Sequence, residues 1–158
     1  MHDLAREVTA ANVDQLLSQY IALAETVGGS IAGLNGLRLF SALKREAVEV
    51  GPYPRVTLFE AANRIMTDLV TLYGVRWLLK EKVFPFQTYE VEYGHGNKGA
   101  HDILATADEK SLIGEVFNVA PSFFPIKKAS ALKKLRASKV KADYRIIMVN
   151  ADAVQAAY

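Results

Sequence analysis

Two carboxylates, Asp102 and Glu115, are the residues in this chain best placed to do chemistry together. They lie thirteen positions apart in the stretch DILATADEKSLIGEVFN, residues 102–118. Residues 102–107 read as one strand, Asp108-Glu109-Lys110-Ser111 as a polar turn, and residues 112–119 as a second strand. Antiparallel pairing across so short a turn would bring Asp102, at the start of the first strand, close to Glu115, in the middle of the second. Two like charges held together invite a divalent cation. Mg²⁺ takes hard oxygen ligands and is commonly held by one or two carboxylates plus waters and phosphate oxygens. The alternative is an acid in a turn and an exposed strand residue, and spacing alone leaves both open.

The elements around the hairpin follow from periodicity and turn chemistry. Residues 9–27 carry Leu16, Leu17, Tyr20, Leu23 and Val27 at helical spacing and meet a stop at Gly28-Gly29. Residues 31–50 read as a second helix, weakened by Gly33 and Gly36 and ended by Gly51-Pro52. Thr57-Leu58-Phe59-Glu60 is a capping-box pattern opening a third helix to about Tyr73, with Phe59, Ala62, Ile65, Met66, Leu69 and Leu72 as its apolar side and Gly74 as its end. Residues 86–93 alternate as a strand, with Tyr89, Val91 and Tyr93 on one face and Glu90 and Glu92 on the other. Residues 94–100 form a glycine-rich loop without phosphate-loop spacing. His95 and His101 flank it as loop histidines, with no zinc-site pattern. Ser122 is expected to cap a basic helix over residues 123–138, and residues 144–150 read as a buried strand. Trp77, Phe123 and Phe124 are expected in the core. The predicted architecture is a mixed sheet flanked by helices, with the last strand–helix–strand unit a right-handed parallel crossover.

Composition sets the class. The 158 residues suffice for one domain with a sizeable core, and no cysteine is present, which excludes disulfides and thiolate metal sites. No apolar run approaches the roughly 18 residues of a membrane span. The N-terminus lacks a signal-peptide pattern, so a cytoplasmic protein is the expectation. The net charge of +2 is unevenly spread. Between Phe123 and Arg145, eight basic side chains stand against Asp143 alone, so +7 sits there and −5 elsewhere. Such a block suggests an anionic partner, most simply a nucleic-acid backbone, with a solvated helix face as the alternative.

The order helix–strand–strand–strand–helix–strand, with His101-Asp102 opening the second strand and Glu115-Val116-Phe117 in the third, resembles the core of the PD-(D/E)XK nuclease superfamily. The resemblance covers roughly residues 57–150. It implies a restriction-endonuclease-like α/β core over residues 57–158, preceded by an N-terminal helical extension over residues 1–56. That extension is expected to pack on the core, to cover substrate, or to form a homodimer. The resemblance further implies Mg²⁺- or Mn²⁺-dependent hydrolysis of DNA phosphodiester bonds, with Asp102, Glu115 and the Val116 carbonyl as metal ligands and Glu60 as the helix acid. The family's motif lysine is Phe117 here. Some members supply a lysine from the following helix instead. At about 100° per residue, Ile126, Ala129, Leu132 and Leu135 define a face toward the sheet; Lys128 falls inside it, and Lys127 and Lys134 fall outside. Lys128 is therefore the expected substitute. Lys127, Lys133, Lys134, Arg136 and Lys139 are expected on the DNA phosphates. The runner-up is a catalytically inactive module of the same fold that binds nucleic acid or a protein.

Overall fold

The computed structural model describes residues 4–94 and 100–155. Among them a five-stranded mixed sheet has the order β1 (Glu7–Thr9), β4 (Thr88–Val91), β5 (Ile103–Ala107), β6 (Lys110–Phe117) and β7 (Tyr144–Val149), and β2 (Ala47–Val50) and β3 (Tyr53–Thr57) form a separate hairpin. The helices are α1 (Val13–Ile31), α2 (Gly36–Arg45), α3 (Leu58–Glu81), α4 (Phe124–Ala137) and α5 (Ala151–Gln155). The expected antiparallel meander β4–β5–β6 and the parallel β6–β7 pair are both present.

The meander follows from side-chain alternation. Tyr89 and Val91 are buried while Glu90 is exposed, so one face of β4 packs inward. The β5–β6 turn is tighter than expected. Lys110 and Ser111 belong to β6, opposite Ala107 and Thr106, which leaves only Asp108-Glu109 to connect the strands. Asp108 takes a left-handed conformation, φ 52°, which a short polar side chain tolerates. Strand β6 is bounded by strands on both sides and buried from Leu112 to Phe117. Leu112 and Val116 join the main core, whereas Phe117 packs with Phe124 and Ala131 of α4 in a smaller second cluster.

Helix α3 does not stop at Gly74. That glycine lies against β7, where a Cβ would sit 2.3 Å from Met148 Sδ, so it serves close helix–strand approach rather than termination. The Thr57 hydroxyl accepts from the Glu60 N–H at 3.2 Å, the predicted cap. The buried stripe of α3 differs from the predicted one: Ala61, Ile65, Asp68, Leu72 and Val75 are inside, while Phe59, Ala62 and Met66 face out. Trp77 is exposed as well, contrary to expectation.

The first 56 residues, expected to be helical, contribute strands as well as helices. Strand β1 adds to the sheet edge against β4. Val13, Leu16, Leu17 and Tyr20 of α1 share one core with Leu72, Val91 and Ile103. The single helix expected over residues 31–50 is instead α2 followed by β2. Gly33 and Gly36 both take positive φ, 82° and 52°, a conformation that breaks a helix. Ser122 does not cap α4: residues 121–123 form a 3₁₀ turn, and the N-cap is Phe123, without a side-chain hydrogen bond. No helix among the described residues is long and apolar enough to cross a membrane.

Candidate functional site

Asp102 and Glu115 meet at the open end of the β5–β6 ladder. Asp102 donates its backbone N–H to Gly114 O at 3.0 Å, and its Oδ2 accepts the Val116 N–H at 2.7 Å. It thereby straddles Glu115 on the neighbouring strand and pins the Val116 peptide. Its carbonyl accepts from Glu92 N–H at 3.0 Å, so the same residue also ties β4 into the ladder.

Glu115 is buried, and both of its oxygens are engaged. Oε1 lies 2.6 Å from His101 Nδ1, and Oε2 lies 2.8 Å from Lys134 Nζ. A buried carboxylate needs such partners because desolvating it alone is costly. Facing a carboxylate, Nδ1 must carry a proton, which leaves Nε2 to face Ser138 Oγ at 2.8 Å. Lys134 also donates to Ala100 O at 2.6 Å. The cluster therefore joins β6, the residues before β5 and the C-terminal end of α4. His101 lies in the loop before β5, as expected, but is buried there as a bridge; His95 and residues 96–99 lie outside the described residues.

The lysine paired with Glu115 is Lys134 and not Lys128, the reverse of expectation. Lys128 Nζ lies 5.6 Å from the Phe124 ring centroid. Ile126 and Ala129, expected to face the sheet, are exposed, and the buried stripe is Phe124, Ala131 and Leu135. Lys127, Lys134 and Ser138 repeat that i, i+7, i+11 spacing three positions later, on the adjoining flank. Lys127 and Lys134 thus turn toward the sheet. Lys133, Arg136 and Lys139 are exposed.

A groove of about 420 Å³ opens beside Val116, at the carboxyl end of β6 and between α3 and α4. Asn63, Arg64 and Thr67 reach it from α3, Asn118 from the chain after β6, and Phe123 and Lys127 from the α4 side. Asn150 fixes one wall: its Oδ1 accepts from Val119 N–H and its Nδ2 donates to Val119 O, both at 2.9 Å. Glu60 also lines the groove, but its carboxylate is turned onto Arg64 Nη2 at 2.5 Å. Phe123, expected in the core, is 60% exposed at the groove, while Phe124 is buried as expected.

A third carboxylate lies behind this region. Asp68, in the buried stripe of α3, accepts the hydroxyls of Tyr20, at 3.0 Å, and Tyr53. It also faces the Gly94 N–H at 3.3 Å. Burial pushes its pKa up to about 6 against these hydrogen bonds, and the negative charge of Asp102 adds to the rise. Burial likewise holds Tyr20 and Tyr53 well above the usual tyrosine range. The signal for Asp68 was present in the sequence: an aspartate three residues after Ile65 and four before Leu72 sits on their apolar face. His101, as the partner of Glu115, and Ser138, as the partner of His101, had no local signal.

Among the described residues no group of three histidine, aspartate or glutamate side chains is arranged to hold a metal. The donor types at Asp102, Glu115 and the Val116 carbonyl suit a hard cation, with the Lys134 and His101 contacts to Glu115 as the competitors it would meet. No family model, curated protein or solved structure matches the chain.

Proposed function

We propose that this chain is a nuclease-like phosphodiesterase of the restriction-endonuclease-like fold, acting on DNA. The observation that carries the reading is the Lys134–Glu115 contact of 2.8 Å. It puts an ammonium on the third-strand acid in a chain whose motif position for lysine is Phe117. The sheet order β4–β5–β6–β7, antiparallel then parallel, with a helix between its last two strands, supports the same reading.

In this reading Lys134 and His101 orient the Glu115 carboxylate, and Asp102 pins the Val116 peptide through its N–H. Asp102, Glu115 and the Val116 carbonyl would hold Mg²⁺ or Mn²⁺. Such a cation supplies charge neutralisation at the phosphate and a bound water of lowered pKa. Lys133, Arg136 and Lys139 hold the backbone by charge.

Cleavage of supercoiled, linear and branched DNA in Mg²⁺ or Mn²⁺ tests the proposal. Glu115→Ala and Asp102→Ala should each abolish turnover. Lys134→Ala should lower kcat by about a hundredfold or more, with KM little changed and partial rescue by Lys134→Arg. Wild-type rates in both carboxylate variants would sink it. The second reading, an inactive module that binds nucleic acid through α4, is favoured by Phe117 and by the engagement of both Glu115 oxygens; it predicts binding without cleavage.

A further inference from the structure

We infer that the groove beside Val116 is a binding pocket for a single unpaired nucleotide. The inference rests on the nucleic-acid reading above and specifies its substrate: a nucleotide out of the duplex rather than a paired one.

Three features of the groove argue for this ligand. The first is its volume of about 420 Å³, within the range of small-ligand sites. The second is the pairing of cation with aromatic ring. Lys127 and Arg64 line the groove together with Phe123, whose ring is 60% exposed and serves no core. An exposed aromatic beside cations is what base stacking and phosphate contact require of a single-strand site. Neither a free anion nor an apolar ligand uses both. The third is donor supply. Arg64 Nε is buried and has no hydrogen-bond partner among the described residues. The rest of that guanidinium is held in place by Glu60 and by the Tyr53 ring, 5.9 Å away. A buried guanidinium nitrogen without an acceptor is costly, and the exposed part of the Arg64 side chain, which lines the groove, offers a phosphate oxygen a charged donor. Asn63, Thr67 and Asn118 supply the hydrogen-bonding groups that a base edge or sugar needs.

In the arrangement inferred, the base stacks on Phe123 and the phosphate lies between Arg64 and Lys127. Duplex DNA cannot satisfy this pocket, because its bases are stacked on each other.

Binding is measured in EDTA, so the result does not depend on turnover. A fluorescent single-stranded oligonucleotide is titrated by anisotropy and displaced with dTMP, with inorganic phosphate, and with an abasic strand of the same length. The wild-type protein should bind the single strand more tightly than the duplex at equal salt, and dTMP should displace it better than phosphate does. Phe123→Ala, at an exposed position, should weaken dTMP and the single strand by about 5- to 100-fold and leave the abasic strand and phosphate unchanged. Lys127→Ala should weaken all four. Circular dichroism and thermal melting confirm that both variants fold. Equal displacement by dTMP and phosphate, unchanged dTMP affinity in Phe123→Ala, or duplex preferred over single strand would each overturn the pocket. The two readings separate cleanly. Phe123-dependent dTMP binding without metal-dependent cleavage retains the pocket and rejects the enzyme. Cleavage with dTMP binding indifferent to Phe123 does the opposite.

Discussion

Glu115 and Asp68 are both buried carboxylates, and the protein treats them in opposite ways. Glu115 is met by cations or potential cations, Lys134 on one oxygen and His101 on the other. Among the described residues Asp68 is met by neutral donors: two tyrosine hydroxyls and the Gly94 amide. Hydrogen bonds favour the charged form, but desolvation outweighs them at Asp68, and its pKa rises to about 6. The difference reflects location. Lys134 stems from the rim of α4 and stays 38% exposed, so its charge is kept partly in water while its head reaches inward. Asp68 lies between α1, β3 and α3, where no cationic head reaches it among the described residues. One carboxylate belongs to a polar cluster that opens toward the basic helix. The other ties three elements of the N-terminal half together.

Breaking the Lys134 contact should give the largest effect. Removing one member of a fully buried pair costs about 3–5 kcal/mol, and the partial exposure of Lys134 brings the expectation for Lys134→Ala to about 2–4 kcal/mol. Adding Glu115→Gln should restore much of it, because the stranded charge is gone. Urea unfolding of both singles and the double measures the coupling, and full additivity would mean that the contact contributes nothing.

The second prediction concerns pH. Asp68 has a folded pKa raised to about 6 from an ordinary 3.8. Between those values the folded state keeps a proton that the unfolded chain has lost, so stability falls as pH rises through that window. The penalty is complete above about pH 6 and absent below about pH 4, a span of about 3 kcal/mol. Relative to wild type, Asp68→Asn should lack this slope. Parallel stability curves for the two proteins from pH 4 to 7 would contradict it.

Tyr53→Phe sharpens the same contrast at smaller scale. It takes one donor from Asp68 while Tyr20 remains, and should cost about 1–2 kcal/mol at neutral pH and less in acid, where the carboxyl is neutral. The smallest effect on stability is expected on the outer face of α4. Lys133→Glu with Arg136→Glu should change stability by less than about 0.5 kcal/mol, yet flatten the salt dependence of DNA binding. An unchanged salt slope would leave those charges merely solvated.

What could be read from the residues alone is uneven in an instructive way. The β5–β6 hairpin, the basic helix and the parallel β7 carried strong local signals: alternation, turn residues and a branched run. In the N-terminal third α1 carried such a signal, and the strands did not. Strand β1 is three residues long and exists because β4 offers it an edge, a non-local cause that no window detects. Gly74 carried the letter of a helix end, but its meaning was proximity to Met148, seventy-four residues away.

Local pattern suffices for an α/β chain, for the approach of Asp102 and Glu115 across a hairpin, and for the positive charge gathered on the following helix. Each rests on interactions between near neighbours, where period and spacing suffice. Tertiary structure alone decided which lysine faces which carboxylate. The rotation of α4 is set by Phe124 and Ala131, which pack with Phe117 at the end of β6, and by the buried Leu135, and not by the hydrophobicity of Ile126 or Ala129. A rotation of one helical stripe exchanges Lys128 for Lys134. On a helix with alkyl and ammonium groups on every side, local sequence carries too little free-energy difference to choose between them.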